Sequence, residues 1–198
     1  MTTRAKQITR DIDILAPMAD RALAKAAVSI TTLDPRLARR MEPRAPAPHR
    51  RLQALETLAK AGVPVGVMVA PIIPQLNDRD LEAILEAAAA AGARSAGYVL
   101  IRLPLEVAPL FRDWLAAHYP ERAPHVMSLI RQMRGGRDYD SAFGTRMRGE
   151  GVFAALIEKR FAIACKRAGF ERGREHTGLD TSRFRPTPLD GGRQGALF

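Results

Sequence analysis

Val63-Pro-Val-Gly-Val-Met-Val-Ala-Pro-Ile-Ile73 decides the reading of this chain. Such an almost unbroken apolar run, rich in β-branched residues, marks a strand covered on both faces. Ala27-Val-Ser-Ile-Thr-Thr-Leu33, another β-type run, precedes it, and Ser95-Ala-Gly-Tyr-Val-Leu-Ile-Arg-Leu103, also nearly continuous in apolar residues, follows. The segments between them have helical period. Arg50 to Gly62 places Leu52, Leu55, Leu58 and Ala59 on one face and ends at a glycine suited to a left-handed cap. Asp78 to Gly92 does the same with Leu81, Ile84, Leu85 and Ala88, after Asn77 or Asp78 as N-cap. Strand starts near residues 27, 63 and 94 recur at the length of a βαβ unit, so right-handed crossovers and a parallel α/β sheet are expected.

Beyond Pro104 the strand signal stops. Glu106 to His118 and Glu121 to Met133 read as helices separated by Pro120, the first with Val107, Leu110, Phe111, Trp114 and Leu115 on its apolar face. A Gly-Gly-Arg-Asp loop follows, and then a third helix from Gly151 to Gly169 with Phe153, Leu156, Ile157, Phe161, Ala164 and Cys165 in one stripe. After Gly169 large apolar residues become scarce, and Glu171 to Gly195 reads as a mobile tail. The expected divisions are 1–104 for the sheet-bearing part, 105–170 for the helical segment and 171–198 for the tail.

The 198 residues are 46% hydrophobic, which rules out wholesale disorder and allows a core of ordinary size. No apolar run is long enough for a membrane span, and the first ten residues lack the apolar centre of a signal peptide, so a cytoplasmic protein with no membrane partner is expected. One cysteine, Cys165, excludes an internal disulfide and any metal centre built on several thiolates of this chain. Its place on a helical apolar stripe reads as core packing. The four histidines show no metal-ligand spacing, so no metal is inferred from them. The net charge of +10 rests mostly on arginine, which fits either a nucleic-acid partner or a solvated basic face.

Active sites of parallel α/β folds lie at the carboxyl ends of the strands. There, Ser29 and Thr31 share one face by the period of two, and Arg44 follows in the proline-stiffened Met41-Glu-Pro-Arg-Ala-Pro46. Two hydroxyls and a guanidinium fit a bound carboxylate and sugar hydroxyls. They equally fit ordinary strand positions and a helix-flanking charge.

Ser29-Ile-Thr-Thr-Leu-Asp34, Met41 to Pro46 and Gly66-Val-Met-Val-Ala-Pro-Ile-Ile-Pro74 with Leu76-Asn-Asp78 resemble strands four and five of radical S-adenosylmethionine (radical SAM) proteins of the spore-photoproduct-lyase-like, DNA-repair-photolyase-like group. Gly97-Tyr-Val-Leu-Ile-Arg-Leu-Pro104 resembles strand six, Thr9 to Leu15 the exit from strand three, and Met133 to Asp140 with Phe143 to Arg148 the C-terminal segment. The resemblance runs over about residues 9 to 170. It implies a partial TIM-type barrel, about half of a (β/α)6 barrel. It further implies S-adenosylmethionine and a [4Fe-4S] cluster as cofactors and hydrogen abstraction by a 5′-deoxyadenosyl radical. By position in that resemblance, Ser29, Thr31 and Arg44 would contact the ribose and carboxylate of the cofactor. Met68, Ala70, Ile101, Arg102 and Leu103 would line its adenine.

One departure limits what the resemblance implies. The family holds its cluster with a Cys-x-x-x-Cys-x-x-Cys loop, which is absent from this sequence. Radical chemistry is therefore expected only with a missing cysteine-bearing N-terminal half, this chain being a fragment or a partner subunit. A half barrel also exposes sheet edges and the inside of its strands, so self-association or poor solubility is expected. A non-catalytic alternative is a binding module. Arg131, Arg134, Arg137, Arg146 and Arg148 interleaved with Tyr139 and Phe143 have the composition of a single-strand groove, or of a salt-bridged loop with Asp138 and Asp140. The last residues, Gln194, Leu197 and Phe198, are similar to the peptide by which bacterial repair proteins bind the sliding clamp, with Gly195 in place of the usual leucine.

Overall fold

The computed structural model of the protein describes residues 2–3, 6–170, 178–182 and 185. Its four strands, β1 (Thr2–Thr3), β2 (Ala26–Ser29), β3 (Val65–Ile72) and β4 (Ser95–Leu100), form one parallel sheet in the order β1-β2-β3-β4. Helix α1 (Ile12–Ala19) precedes β2, α2 (Pro35–Met41) and α3 (Pro48–Lys60) precede β3, and α4 (Leu81–Ala90) precedes β4. Three helices close the described chain: α5 (Val107–His118), α6 (Ala123–Gln132) and α7 (Gly151–Arg167).

The strand order carries an architectural consequence. A doubly wound sheet reverses direction at a switch point, whereas here each strand lies beside its predecessor. With right-handed crossovers that order stacks the connecting helices on one face. Accordingly α3 packs on β2 and β3, α4 packs on β3, and α3 touches α4. The core lies between these helices and the sheet: Val28, Val65, Val67 and Val69 face Leu55, Leu58, Leu81, Ile84 and Leu85 in one cluster, every one of them buried. Each such side chain contributes about 1.5–3 kcal/mol by leaving water. The cluster continues without a break through Leu115, Val126, Ile130, Ile157 and Phe170, so the C-terminal helices share the core of the sheet.

The three long strands fall where the apolar runs place them, but each is shorter at its carboxyl end. The ladder beyond Val69 slips in register before Ile72 pairs with Leu100, because Pro71 has no N–H to donate. Ile30 to Leu33 and Ile101 to Leu103 leave the sheet, although Ile101 N still donates to Ile72 O at 2.9 Å. Three elements escaped the sequence reading, namely β1, α1 and α2. Helix α2 did carry a signal: Asp34 precedes Pro35 and accepts from the N–H groups of Arg36 and Leu37 at 2.8 and 3.3 Å. The expected tail lies almost wholly outside the described residues.

Candidate functional site

Helices cover one face of the sheet, and the opposite face is built from small residues. Ser29, Met68 and Gly97 form one row across β2, β3 and β4, and Ala27, Gly66 and Ser95 form the row before it. Met68, Ala70, Ser95 and Gly97 are only half-buried. The thioether of Met68 lies over Gly97, where a Cβ would stand 2.9 Å from its Cε. A face of small residues with one flexible apolar side chain results.

At the carboxyl end of that face lies a buried polar network. Arg51 of α3 is 3% exposed; it donates through Nε to Pro46 O at 2.9 Å, through Nη1 to Ser29 O at 3.1 Å, and through Nη2 to Glu42 at 2.5 Å. The hydroxyl of Thr31 lies 3.3 Å from Glu42 Oε2 and from Ala70 O. Asn77 ties the neighbouring loop to the same point, donating to Thr31 O and Pro71 O while accepting from Ile73 N at 2.6 Å. Thr32 donates to Asp80 next to this group. The exits of β2 and β3 are thus held rigidly, as a site on strand ends requires.

A groove of about 230 Å³ opens beside the network, lined by Met41, Pro71, Ile73, Ile101, Leu110, Phe111 and Trp114. Trp114 is fixed by its Nε1–H, which donates to Arg40 O at 3.1 Å. The groove is apolar and of a size for a flat heterocycle.

Of the residues singled out from sequence, Ser29, Thr31, Met68, Ala70 and Ile101 come together around this end of the sheet. Arg44 is exposed in the loop between α2 and α3, and Leu103 is 1% exposed in the core. Arg102 donates to the Tyr139 hydroxyl at 3.0 Å, with its guanidinium 5.7 Å from that ring. Glu42 and Arg51 were overlooked. The signal for Arg51 was present, since it precedes Leu55 and Leu58 at helical spacing on the apolar stripe of α3.

The arginine group divides. Arg134 is 3% exposed and donates to Ile101 O at 2.9 Å and Thr145 O at 3.0 Å, so it braces the end of β4 and is closed to a phosphate. Burial is the largest influence on its pKa and lowers it. Arg131 is paired with Asp138 at 2.8 Å, and Arg148 lies over the Tyr98 ring at 4.7 Å. Arg137 is exposed. Arg146 sits 5.1 Å from the ring of Phe143, which is 90% exposed. Gln194, Leu197 and Phe198 lie outside the described residues.

The donors present do not fit an iron-sulfur cluster. Cys165 is buried in α7, and among the described residues no group of His, Cys, Asp or Glu is placed to hold a metal ion. The face of small residues and the apolar groove of about 230 Å³ leave room for a flat organic group. No helix of the described residues is long and apolar enough to cross a membrane.

Fold and site together define a singly wound parallel α/β protein with its polar network at the carboxyl ends of adjacent strands. Residues 1–88, from β1 into α4, match the family model of the radical SAM superfamily. An uncharacterized protein of Mycobacterium tuberculosis is 33% identical over 132 residues, 66% of this chain and 39% of that protein. One from Mycobacterium bovis matches to the same extent. An uncharacterized protein of Acidianus two-tailed virus is 40% identical over 89 residues, 42% of this chain and 29% of its own length. The matched region is thus 39% of the mycobacterial relatives' length.

Proposed function

We propose that this chain supplies the C-terminal half of a radical SAM barrel and holds the adenosyl and amino-acid parts of S-adenosylmethionine against the sheet face that its connecting helices leave uncovered. The observation that carries the reading is the row Ser29–Met68–Gly97 leading to the Thr31–Glu42–Arg51 network, within the stretch that matches the superfamily. The cofactor, when bound at a reduced cluster, supplies an adenosyl radical. What this chain's residues do is narrower. The groove between Met41 and Trp114 takes the adenine, the small residues of β3 and β4 give it room, and Arg44 reaches the carboxylate. The cluster ligands come from a cysteine-bearing N-terminal half, as part of the same polypeptide or as a partner. The motif likenesses from Ser29 to Arg148 favour the spore-photoproduct-lyase-like group.

The test is to purify the chain alone and with a cysteine-bearing N-terminal half of a radical SAM protein. Iron, S-adenosylmethionine binding and release of 5′-deoxyadenosine are then measured. The reading expects all three only in the assembled pair. Failure of the pair to bind S-adenosylmethionine would overturn it.

Exposure of Phe143 beside Arg146 supports a second reading, in which the segment after α6 contacts a single nucleic-acid strand by stacking. Binding of an oligonucleotide that survives Phe143→Ala unchanged would exclude that role. The C-terminal peptide belongs to the same reading as a contact for the sliding clamp.

A further inference from the structure

A second cavity is separate from the groove. It encloses about 500 Å³ between α2, the loop after β3 and the turn from α5 to α6. Arg36, Arg40, Arg79, Arg122 and His118 line it, against the carboxylates of Asp34 and Glu121. Four permanent cations thus face two acids.

These arginines have few structural duties. Arg36 and Arg40 are one helical turn apart on α2, a like-charge pair that costs a helix stability. Arg36 also stands in the first turn, where the helix dipole disfavours a cation and where no acidic residue offsets it. Neither guanidinium has a carboxylate partner among the described residues. Arg40 instead lies over the ring of Tyr119, its Cζ 5.4 Å from the centroid. Arg79 is 66% exposed and only loosely paired, at 4.0 Å from Asp34 and 3.8 Å from Asp80. The carboxylate of Asp34 is already engaged, capping the backbone of α2. Arg122 is anchored from the far wall by a 3.3 Å bond to Gln75 O. Local rules broken without compensation inside the fold point to a role outside it.

We propose that this cleft binds a phosphate group carried by the substrate. Forked guanidiniums on two walls match the oxygen pattern of a phosphate better than that of any neutral group. Arg36, Arg40 and Arg122 make the contacts, and Tyr119 keeps Arg40 in orientation. The cleft is formed by residues that follow β2 and β3, so it lies on the rim of the same strand ends as the proposed cofactor face. Neither its charge nor its shape depends on S-adenosylmethionine, and the inference stands or falls apart from that reading.

Both a nucleic-acid strand and a free phosphoryl compound carry the required group, and the full-length chain can be titrated with each. The probes are a 5′-labelled single-stranded 12-mer and inorganic pyrophosphate, followed by anisotropy and calorimetry at several salt concentrations. The expected result is saturable binding of at least one probe that weakens tenfold or more in R36Q/R40Q and in R122Q. It should be unchanged in R39Q, which removes one charge, as R122Q does, from the same helix as Arg36 and Arg40 but outside the cleft. R36K/R40K keeps the charge but loses the fork and should recover binding only in part. Preference for the 12-mer assigns the phosphate to a strand, and each contact removed should lower the slope of log K against log salt by about 0.7. Preference for pyrophosphate assigns it to a small molecule. Absence of binding to both probes, or equal weakening in R39Q and R36Q/R40Q, overturns the proposal. Unchanged circular dichroism and urea midpoints of the variants separate loss of the site from loss of the fold.

Discussion

Arg51 on α3 meets Glu42, just past the end of α2, at 2.5 Å, and the same guanidinium holds the carbonyl of Ser29 at the last residue of β2. One buried cation therefore ties two helices and a strand exit to a single point. A pair of this kind gives positional rigidity more than net stability, because desolvation offsets most of its attraction.

Removing one partner should therefore be costly. Arg51→Met removes the buried guanidinium from beside Glu42 together with its bonds to Ser29 O and Pro46 O, and the variant is expected to lose about 3–5 kcal/mol in urea unfolding. Glu42→Leu combined with Arg51→Met should recover much of that loss while disordering the loop that carries Arg44. A single variant as stable as the parent would show the pair to be incidental.

Arg134 presents the same physics without an ion-pair partner. Its guanidinium fastens the loop at Thr145 to the exit of β4, and no carboxylate contacts it directly. Arg134→Ala strands those buried carbonyls, each at a cost of about 1–3 kcal/mol. Hydrogen exchange should show the segment 140–149 opening before the sheet does. Loss of nucleic-acid binding without loss of stability would contradict this structural role.

Acid should weaken the contact of α7 with α4. Arg160 bonds Glu82 at 2.7 and 2.8 Å, and this first of all lowers the Glu82 pKa below its ordinary value of 4.5. A carboxyl depressed in the folded state contributes stability above its unfolded pKa and loses it as pH falls through the folded one. Asp78 works in the opposite sense. Burial raises its pKa above 3.8, so its ionisation costs stability as pH rises and the cost vanishes in acid. Between about pH 6 and pH 3, Glu82→Gln should lose less stability than the parent and Asp78→Asn more, read as urea midpoints. Identical slopes for all three would remove both groups from the acid response.

Gly97 tests the proposed cofactor face. An added Cβ meets only the flexible end of Met68, so Gly97→Ala should fold normally and, on the proposed reading, keep S-adenosylmethionine binding in the assembled pair. Gly97→Leu fills the face and should abolish that binding while the urea midpoint stays near the parent's. Cofactor affinity unchanged in Gly97→Leu would place the site elsewhere.

The three long strands and the helices α3 to α7 were legible because each carries a period of its own: runs near 63–73 and 95–103, and leucines three and four apart in 50–62 and 78–92. The position of Ser29, Thr31, Met68 and Ala70 at strand exits followed from the same alternation. Other features had no local signature. Nothing in the neighbourhood of Arg51 announces that its guanidinium reaches back to Ser29, or that Arg134 closes on Ile101 and Thr145 rather than facing solvent. The five-arginine group looked uniform in sequence, yet the fold divides it into a brace, an ion pair, two cations set over aromatic rings and one outward charge.

The sequence by itself therefore determined the βαβ order, the apolar core and, through its single cysteine, the want of cluster ligands in this chain. Hydrophobic periodicity and residue chemistry are local properties, and they survive without coordinates. Only the tertiary structure decided that the sheet is wound in one direction, that Glu42, Arg51 and Asn77 hold the strand exits, and that Arg36, Arg40, Arg79 and Arg122 from three separated segments line one cleft. The reason is that charge and hydrogen-bonding partners are chosen by proximity in space, across 22 residues for Arg51 and Ser29, and no pattern along the chain encodes that distance.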